Sequence, residues 1–455
     1  MRPLKGNRTG ASEPEPLSTK QQRIAELAKE AADMSFTSLN HLIDLPWLRR
    51  AYAATRKDGA VGVDGQTAEE YEKDLQSNLQ SLLDRAKSGA YRAPPVRRVH
   101  IPKGQGEETR PVGIPTFEDK ILQRAVVMVL QTIYEQDFLD CSYGFRPGRS
   151  AHQALHSLRE QIMAGKGCGI LEVDIRRCFD TLDHARLREL LQQRVRDGVL
   201  LRLIGKWLNA GVLEGGIMTF PEAGTPQGGV ISPLLANIYL HYVLDVWFAD
   251  TVKPRLQGHA FLIRYADDFV IGFALEADAR RVLEVLPKRL GKYGLTLHPD
   301  KTRLVSFRRP GRDSGDDAAA KDKPGTFDLL GFRHYWCRSR KGYWVVMRKT
   351  APSSFRRALR KIARWCRWRR HDAIAEQHQV LSRKVRGHYA YFGITCNNAA
   401  LKRFFRAVVC RWRKWLSRRK RGSPIPWPKF AELLKRFPLP PPVIVHSVYR
   451  HAANA

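Results

Sequence analysis

The sequence has no long apolar run. Its most apolar extended window, VISPLLANIYLHYVLDVWFA, is broken by Pro233, Asn237, His241 and Asp245, whereas a membrane-spanning helix needs about 20 predominantly apolar residues in a row. No spanning segment is expected, and the opening MRPLKGNRTGASEPEPLSTKQQ lacks the apolar core of a secretory signal. Cysteine is scarce and unpatterned, with seven scattered residues and no Cys-x-x-Cys pair. That argues against structural zinc and a disulfide framework and points to a reducing cytoplasm. No internal repeat is present. Acid is scarcest in the last quarter, where residues 351–455 hold 25 Lys and Arg against three acids, Asp372, Glu376 and Glu432.

What is present is size and positive charge. A chain of 455 residues that is 43% hydrophobic can bury a large core and predicts several domains. Net charge is +33, which points to a polyanionic partner, nucleic acid or an acidic membrane surface. In ARWCRWRR and VVCRWRKWLSRRKRG basic residues alternate with aromatics. Arg411, Arg413 and Lys414 suit phosphates, and so dense a positive surface repels itself unless a polyanion such as duplex or folded RNA lies against it. Trp365, Trp368, Trp412 and Trp415, at spacing three, are expected in the cores of two helices. Residues 1–20 read as disordered, helical periodicity begins near Gln21, residues 308–326 read as a surface loop, and composition shifts to the basic segment near Lys349 to Ser354.

Chemistry concentrates in the middle. Thr116 to Asp119 is a helix-starting box, and Leu122, Val126, Val129, Leu130 and Ile133 then share one face, predicting a helix of about four turns. In CGILEVDIRRCFDTLDH the apolar residues Ile170, Val173 and Ile175 place Asp174 near a strand end, where functional groups are often displayed. In FLIRYADDFVIGF, strand-favouring residues flank Asp267 and Asp268, so strand, tight turn, strand is the natural parse. An Asp-Asp pair can simply be a solvated turn. With Asp174 beside it, however, it is also what two divalent cations need: hard oxygen ligands for Mg²⁺, which keeps part of its water and takes further contacts from substrate phosphates.

Eight blocks carry a resemblance: YRAPPVRRVHIPK, TRPVGIPTFEDKILQRAV, SYGFRPGRSAHQAL, VDIRRCFDTLDH, GTPQGGVISPLLANIYL, RYADDFVIGF, GLTLHPDKTRLVSF and DLLGFRHY. In this order, over roughly residues 90 to 336, the chain resembles the reverse transcriptases encoded by bacterial group II introns. KVRGHYAYFGIT and the segment from WLSRRKRG onward look like the thumb and maturase part of those proteins, and MSFTSLNHLI, residues 34–43, looks like a helical amino-terminal extension that helps hold template RNA. The implied fold is an α+β right-hand polymerase. Fingers and palm, with an antiparallel sheet and packed helices, would span 21–345, and a mostly α-helical thumb/maturase domain 346–455.

The resemblance also implies roles. Asp174 and Asp267 would be metal ligands, with Asp268 completing the acidic cluster, for two Mg²⁺ ions, with Mn²⁺ the alternative. Lys103 and Arg110 would clasp the incoming triphosphate, as a point charge and a forked donor suit. Phe179 would block a ribose 2′-hydroxyl, and Gln227, in the close-approach loop GTPQGGVISP, would lie near the sugar and base. Arg146 and Arg149 would touch template phosphates or, alternatively, stabilise their loop by local salt bridges, and Lys301 would stand near primer and nucleotide. The partners would be an RNA template, group II intron RNA, a DNA primer or target and dNTPs, in the cytoplasm and without a membrane. No Cys-x-x-Cys pair and no His-Asn-His pattern precedes Ala455, so second-strand cutting is not expected of this sequence. Two other readings stay open. One is a domesticated enzyme of the same fold, CRISPR-associated or serving phage defence. The other is a non-catalytic RNA-binding splicing factor, against which the acidic residues stand, since a scaffold has no need of mutually repelling carboxylates.

Overall fold

The helix Phe117–Asp137 is a spine of the first part of the chain. Thr116 caps it by accepting a hydrogen bond from the Asp119 amide at 3.2 Å. Ile121, Leu122, Ala125, Val126, Val129, Leu130 and Ile133 are all fully buried. At 21 residues it outruns the four turns expected, because Tyr134 extends the buried face and its hydroxyl donates to the Leu191 carbonyl at 3.3 Å. The helices Thr19–Glu30 and Leu45–Ala54 pack on it. A helix apolar around most of its circumference must be covered on most sides. The computed structural model describes residues 19–102, 109–166, 169–220, 223–225, 228–311, 324–419 and 424–447. Among these, no helix is long and apolar enough to cross a membrane.

Among the described residues, three sheets organise the strands. One has the order Ala260–Tyr265, Asp268–Phe273, Gly169–Asp174, Arg303–Ser306. Its first two strands pair antiparallel from Ala260 opposite Phe273 to Tyr265 opposite Asp268, leaving Ala266 and Asp267 as the turn. The second sheet has the order Thr109–Ile114, Val96–Pro102, Val212–Glu214, Ile217–Thr219. The third is antiparallel and runs Trp344–Thr350, Phe332–Arg338, Phe327–Leu329.

The chain divides into two compact units. One comprises residues 19–157 and Leu171–Leu304; the other comprises Leu158–Ile170 and the described residues from Val305 onward. The division expected after residue 345 falls elsewhere, since it would cut the pairing of Phe332–Arg338 with Trp344–Thr350, which keeps both strands with the helices that follow. Mixed helix and sheet agree with the α+β expectation.

Two local expectations are corrected. The segment 34–43 contains a single turn, Asn40–Leu42, not a longer helix. Groups from further along the chain take its backbone: the Arg194 guanidinium, which also holds the carbonyls of Ala28, Ala31 and Ala32 just before it, takes the carbonyl of Met34, the Asp197 carboxylate takes the amides of Leu39 and Asn40, and Phe36 bonds the backbone of Arg194 and Arg196. In the second unit, the helices Pro352–Trp368, Ile374–Phe392, Asn398–Leu416 and Trp427–Arg436 share a core. Trp412 is fully buried there, with its indole N–H on Gln377, and Trp365 and Trp415 are partly buried, but Trp368, the last residue of its helix, is 73% exposed. Arg356, Arg360, Arg364 and Arg367 on one helix and Lys402, Arg403, Arg406, Arg411 and Lys414 on another are exposed.

Candidate active site

A fully buried arginine holds the acidic hairpin. All five N–H groups of Arg264 are used: Nε and Nη2 on the two oxygens of Asp245 (2.7 and 2.5 Å), Nη2 also on Ser142 Oγ (2.8 Å), and Nη1 on Asn237 Oδ1 (3.0 Å) and the Ala266 carbonyl (3.1 Å). Burial opposes the charge, and the Asp245 carboxylate outweighs that, holding the guanidinium above its ordinary range. The last of these bonds fixes the turn itself. Ala266 adopts a left-handed backbone, φ 57°, unusual for a residue with a Cβ. Gly144 packs against that turn so closely that a Cβ there would stand 2.3 Å from the Ala266 nitrogen, and its carbonyl is held by Asn237 at 2.7 Å.

Two of the three carboxylates lie on neighbouring strands, and Asp267 stands in the turn beside them. Asp174 ends Gly169–Asp174 and Asp268 begins Asp268–Phe273, the adjacent strand of the sheet. The Lys301 ammonium is 2.5 Å from Asp174 Oδ2, and Arg303 pairs with Glu172 at 2.8 Å. Asp268 is open to water at its tip yet crowded. Burial, then the charges of Asp267 and Asp174, push its pKa up to about 7 against the pull of Lys301. Mutually repelling carboxylates at a solvent-accessible edge, one already neutralised by an ammonium, form a hard-oxygen set suited to a divalent cation. Among the described residues no group of three or more His, Cys, Asp and Glu side chains could by itself hold a metal ion. A magnesium site completed by water and substrate phosphates does not require one.

The glycine loop lies against the turn that follows Asp174. Phe179, half-buried in the turn Cys178–Asp180, accepts the Thr225 amide on its carbonyl at 2.7 Å. Gly224, at φ +88°, lies so near Asp180 that a Cβ would be 2.7 Å from its carbonyl oxygen, and a Cβ on Gly228 would be 2.5 Å from the carbonyl of Gly113 in the strand Thr109–Ile114. The loop thus touches both the turn after Asp174 and the strand carrying Arg110. Gln123 supports it by accepting the amide of Val230 at 2.8 Å. Gln227 and Lys103 lie outside the described residues, and for Arg110 the backbone alone, paired with Ile101, is described.

The basic residues separate. Of the two readings of Arg146, the geometry matches the local salt bridge and not the phosphate contact: its side chain is 3% exposed and bonds Glu135 and the carbonyls of Leu139 and Ser142, bracing the loop from within. Arg149 is partly exposed and pairs with Asp140 at 2.5 Å. Arg411 and Lys414 are exposed, while Arg413 donates to the Ile425 carbonyl and lies over the Trp427 ring at 4.2 Å. Sequence reading missed Arg264, Asp245, Asn237, Ser142 and Gln123. The signal was there: a charge inside the apolar run before the Asp pair needs a buried partner, and two polar interruptions of the long apolar window are that partner.

A carboxylate at a strand end, an Asp-Asp hairpin at the start of the next strand and a glycine loop against the turn that follows the first carboxylate are the layout of a template-directed polymerase. Residues 101–334 match the family described as reverse transcriptase (RNA-dependent DNA polymerase). The chain is 34% identical over 328 residues to protein YkfC of Escherichia coli strain K12, an alignment covering 63% of this chain and 84% of that one. It is 40% identical over 225 residues to the group II intron-encoded protein LtrA of Lactococcus lactis subsp. cremoris, covering 48% of this chain and 37% of LtrA. It is 27% identical over 207 residues to nuclear intron maturase 4, mitochondrial, of Arabidopsis thaliana, covering 45% of this chain and 23% of that protein. The chain belongs to the reverse transcriptase family.

Proposed function

We propose that the protein copies RNA into DNA at the Asp174–Asp267–Asp268 cluster and that its basic helical part binds group II intron RNA as a maturase. The observation that carries the first part is geometric: Asp174 ends one strand, Asp268 begins the adjacent strand of the same sheet, and Asp267 stands in the turn beside it. Two magnesium ions, when bound, supply the Lewis acidity that activates a 3′-hydroxyl and steadies the leaving pyrophosphate. Asp174 and Asp267 hold them, and Asp268 completes the acidic edge. Lys301 orients the Asp174 carboxylate. Lys103 and Arg110 clasp the triphosphate, and the Phe179 ring excludes a 2′-hydroxyl. The maturase part is supported by the exposed Arg and Lys rows on the helices Pro352–Trp368 and Asn398–Leu416, and by relatives named for introns.

Primer extension on an RNA template tests the chemistry. Asp267→Asn should abolish DNA synthesis while leaving the melting temperature near that of the wild type. Extension that survives the substitution would end the proposal. Intron RNA binding should weaken as salt rises, through counterion release, and salt-insensitive binding would remove the maturase part.

A further inference from the structure

The second unit contains a buried guanidinium that meets no carboxylate among the described residues. In the antiparallel pair Phe332–Arg338 and Trp344–Thr350, the inward residues Phe332, His334 and Trp336 stand opposite Thr350, Arg348 and Val346. The middle pair is polar. Arg348 is 6% exposed and His334 is 0% exposed. His334 lies flat on Phe327 with ring centroids 4.7 Å apart, and both of its ring nitrogens lack a hydrogen-bond partner among the described residues.

Among the described residues no carboxylate and no hydrogen-bond acceptor meets the Arg348 side chain. The charged side chain it feels is a second cation, Arg159, and burial, then Arg159, pushes the Arg348 pKa down to about 10. Arg159 is half-buried, its Nε donating to the Val346 carbonyl at 3.2 Å. Cys396, exposed and near enough to sense both arginines, supplies no counter-charge, because burial pushes its thiol up despite them. All four residues belong to the same compact unit.

A buried cation with no partner is costly, and Arg348 beside a second, half-buried guanidinium whose Nε alone is seen bonded forms a site lacking an anion. The guanidinium fork matches the oxygens of a phosphate, and the half-buried Arg159 and exposed Cys396 mark the side from which one can enter. We propose that Arg348, with Arg159 and His334, receives one backbone phosphate of the nucleic-acid strand the protein holds. This rests on the reading of the chain as a polymerase acting on RNA and DNA. The unit that contains the pocket also carries the exposed basic helices, so a strand drawn to that surface presents phosphates to it.

The test uses the full chain with two separate probes, a fluorescein-labelled RNA–DNA hybrid and inorganic phosphate. Arg348→Met keeps most of the side-chain volume and removes the charge. Hybrid affinity should fall about five- to tenfold whatever the oligonucleotide sequence, and the slope of log affinity against log salt should shrink by about one. The free variant should melt at the same or a higher temperature, since an unpaired buried charge is gone. Arg159→Gln should lose affinity in the same direction by less, and it guards against a folding defect in the first variant. An unchanged slope in both variants overturns the proposal. So does a lowered melting temperature with binding intact, the mark of a purely structural arginine. Phosphate stabilisation that Arg348→Met abolishes while the hybrid slope stays the same also overturns it, by assigning the pocket to the free ion. Failure of the polymerase reading shows separately, as wild-type protein that does not extend a primer on RNA.

Discussion

Replacing Asp245 by Asn keeps the shape of the side chain but leaves Arg264, 0% exposed, without its counter-ion. The remaining three partners, Ser142, Asn237 and the Ala266 carbonyl, are neutral and cannot offset a buried charge. Removing one partner of such a pair costs about 3–5 kcal/mol, against a domain stability of about 5–15 kcal/mol. Each kcal/mol moves the melting temperature of a domain of about this size by about 2–4 °C, so Asp245→Asn should melt about 6–20 °C below the wild type by calorimetry. The paired replacement Asp245→Leu with Arg264→Met removes the charge as well, and most of the stability should return. Activity should not. Without Arg264 the Ala266 carbonyl loses its anchor, and primer extension should stay down by about 100-fold, the scale of a displacement of about 1 Å at a reacting centre. A single variant melting within about 2 °C of the wild type, or a double variant with full extension, would refute the view that this pair positions the hairpin.

Asp268 holds its proton more tightly folded than unfolded, with a pKa of about 7 against an ordinary 3.8. Its contribution to stability is therefore full below about pH 4 and lost as pH rises through about 7. In EDTA the melting temperature should fall across that window, and Asp268→Asn should flatten part of the fall, the buried Asp119 supplying another part with the same sign. Added Mg²⁺ should stabilise the protein more at about pH 8 than at about pH 5, and equal stabilisation at both would count against a cation site at these carboxylates. Gly224→Ala places a Cβ against the Asp180 backbone at φ +88°, whereas Gly65→Ala, at φ +70°, meets open space. Both incur backbone strain of about 1–3 kcal/mol, and the first alone should also push the loop off the turn bearing Phe179, so primer extension should fall far more for Gly224→Ala. Equal effects would mean that the close approach is immaterial.

Short-range patterns were legible in the residue order. Apolar runs on either side of Asp267 and Asp268 made a hairpin, the run before Asp174 made a strand ending there, and Thr116 started its helix, because each depends on neighbours within a turn or a strand. The basic rows of the last quarter were equally readable, since charge at helical spacing stays on an exposed face. What the tertiary structure alone decided was who meets whom. Arg146, read as a phosphate contact or a local salt bridge, is drawn inside by Glu135 and backbone carbonyls; residues 34–43 give up their helix because Arg194 and Asp197 take their backbone groups; and a strand pairing moves the division between units. The buried partners of Arg264, and the burial of Arg348 with no carboxylate beside it among the described residues, likewise exist only once strands lie side by side. A side chain's solvation, and hence whether its charge is an asset or a cost, is set by residues far away along the chain.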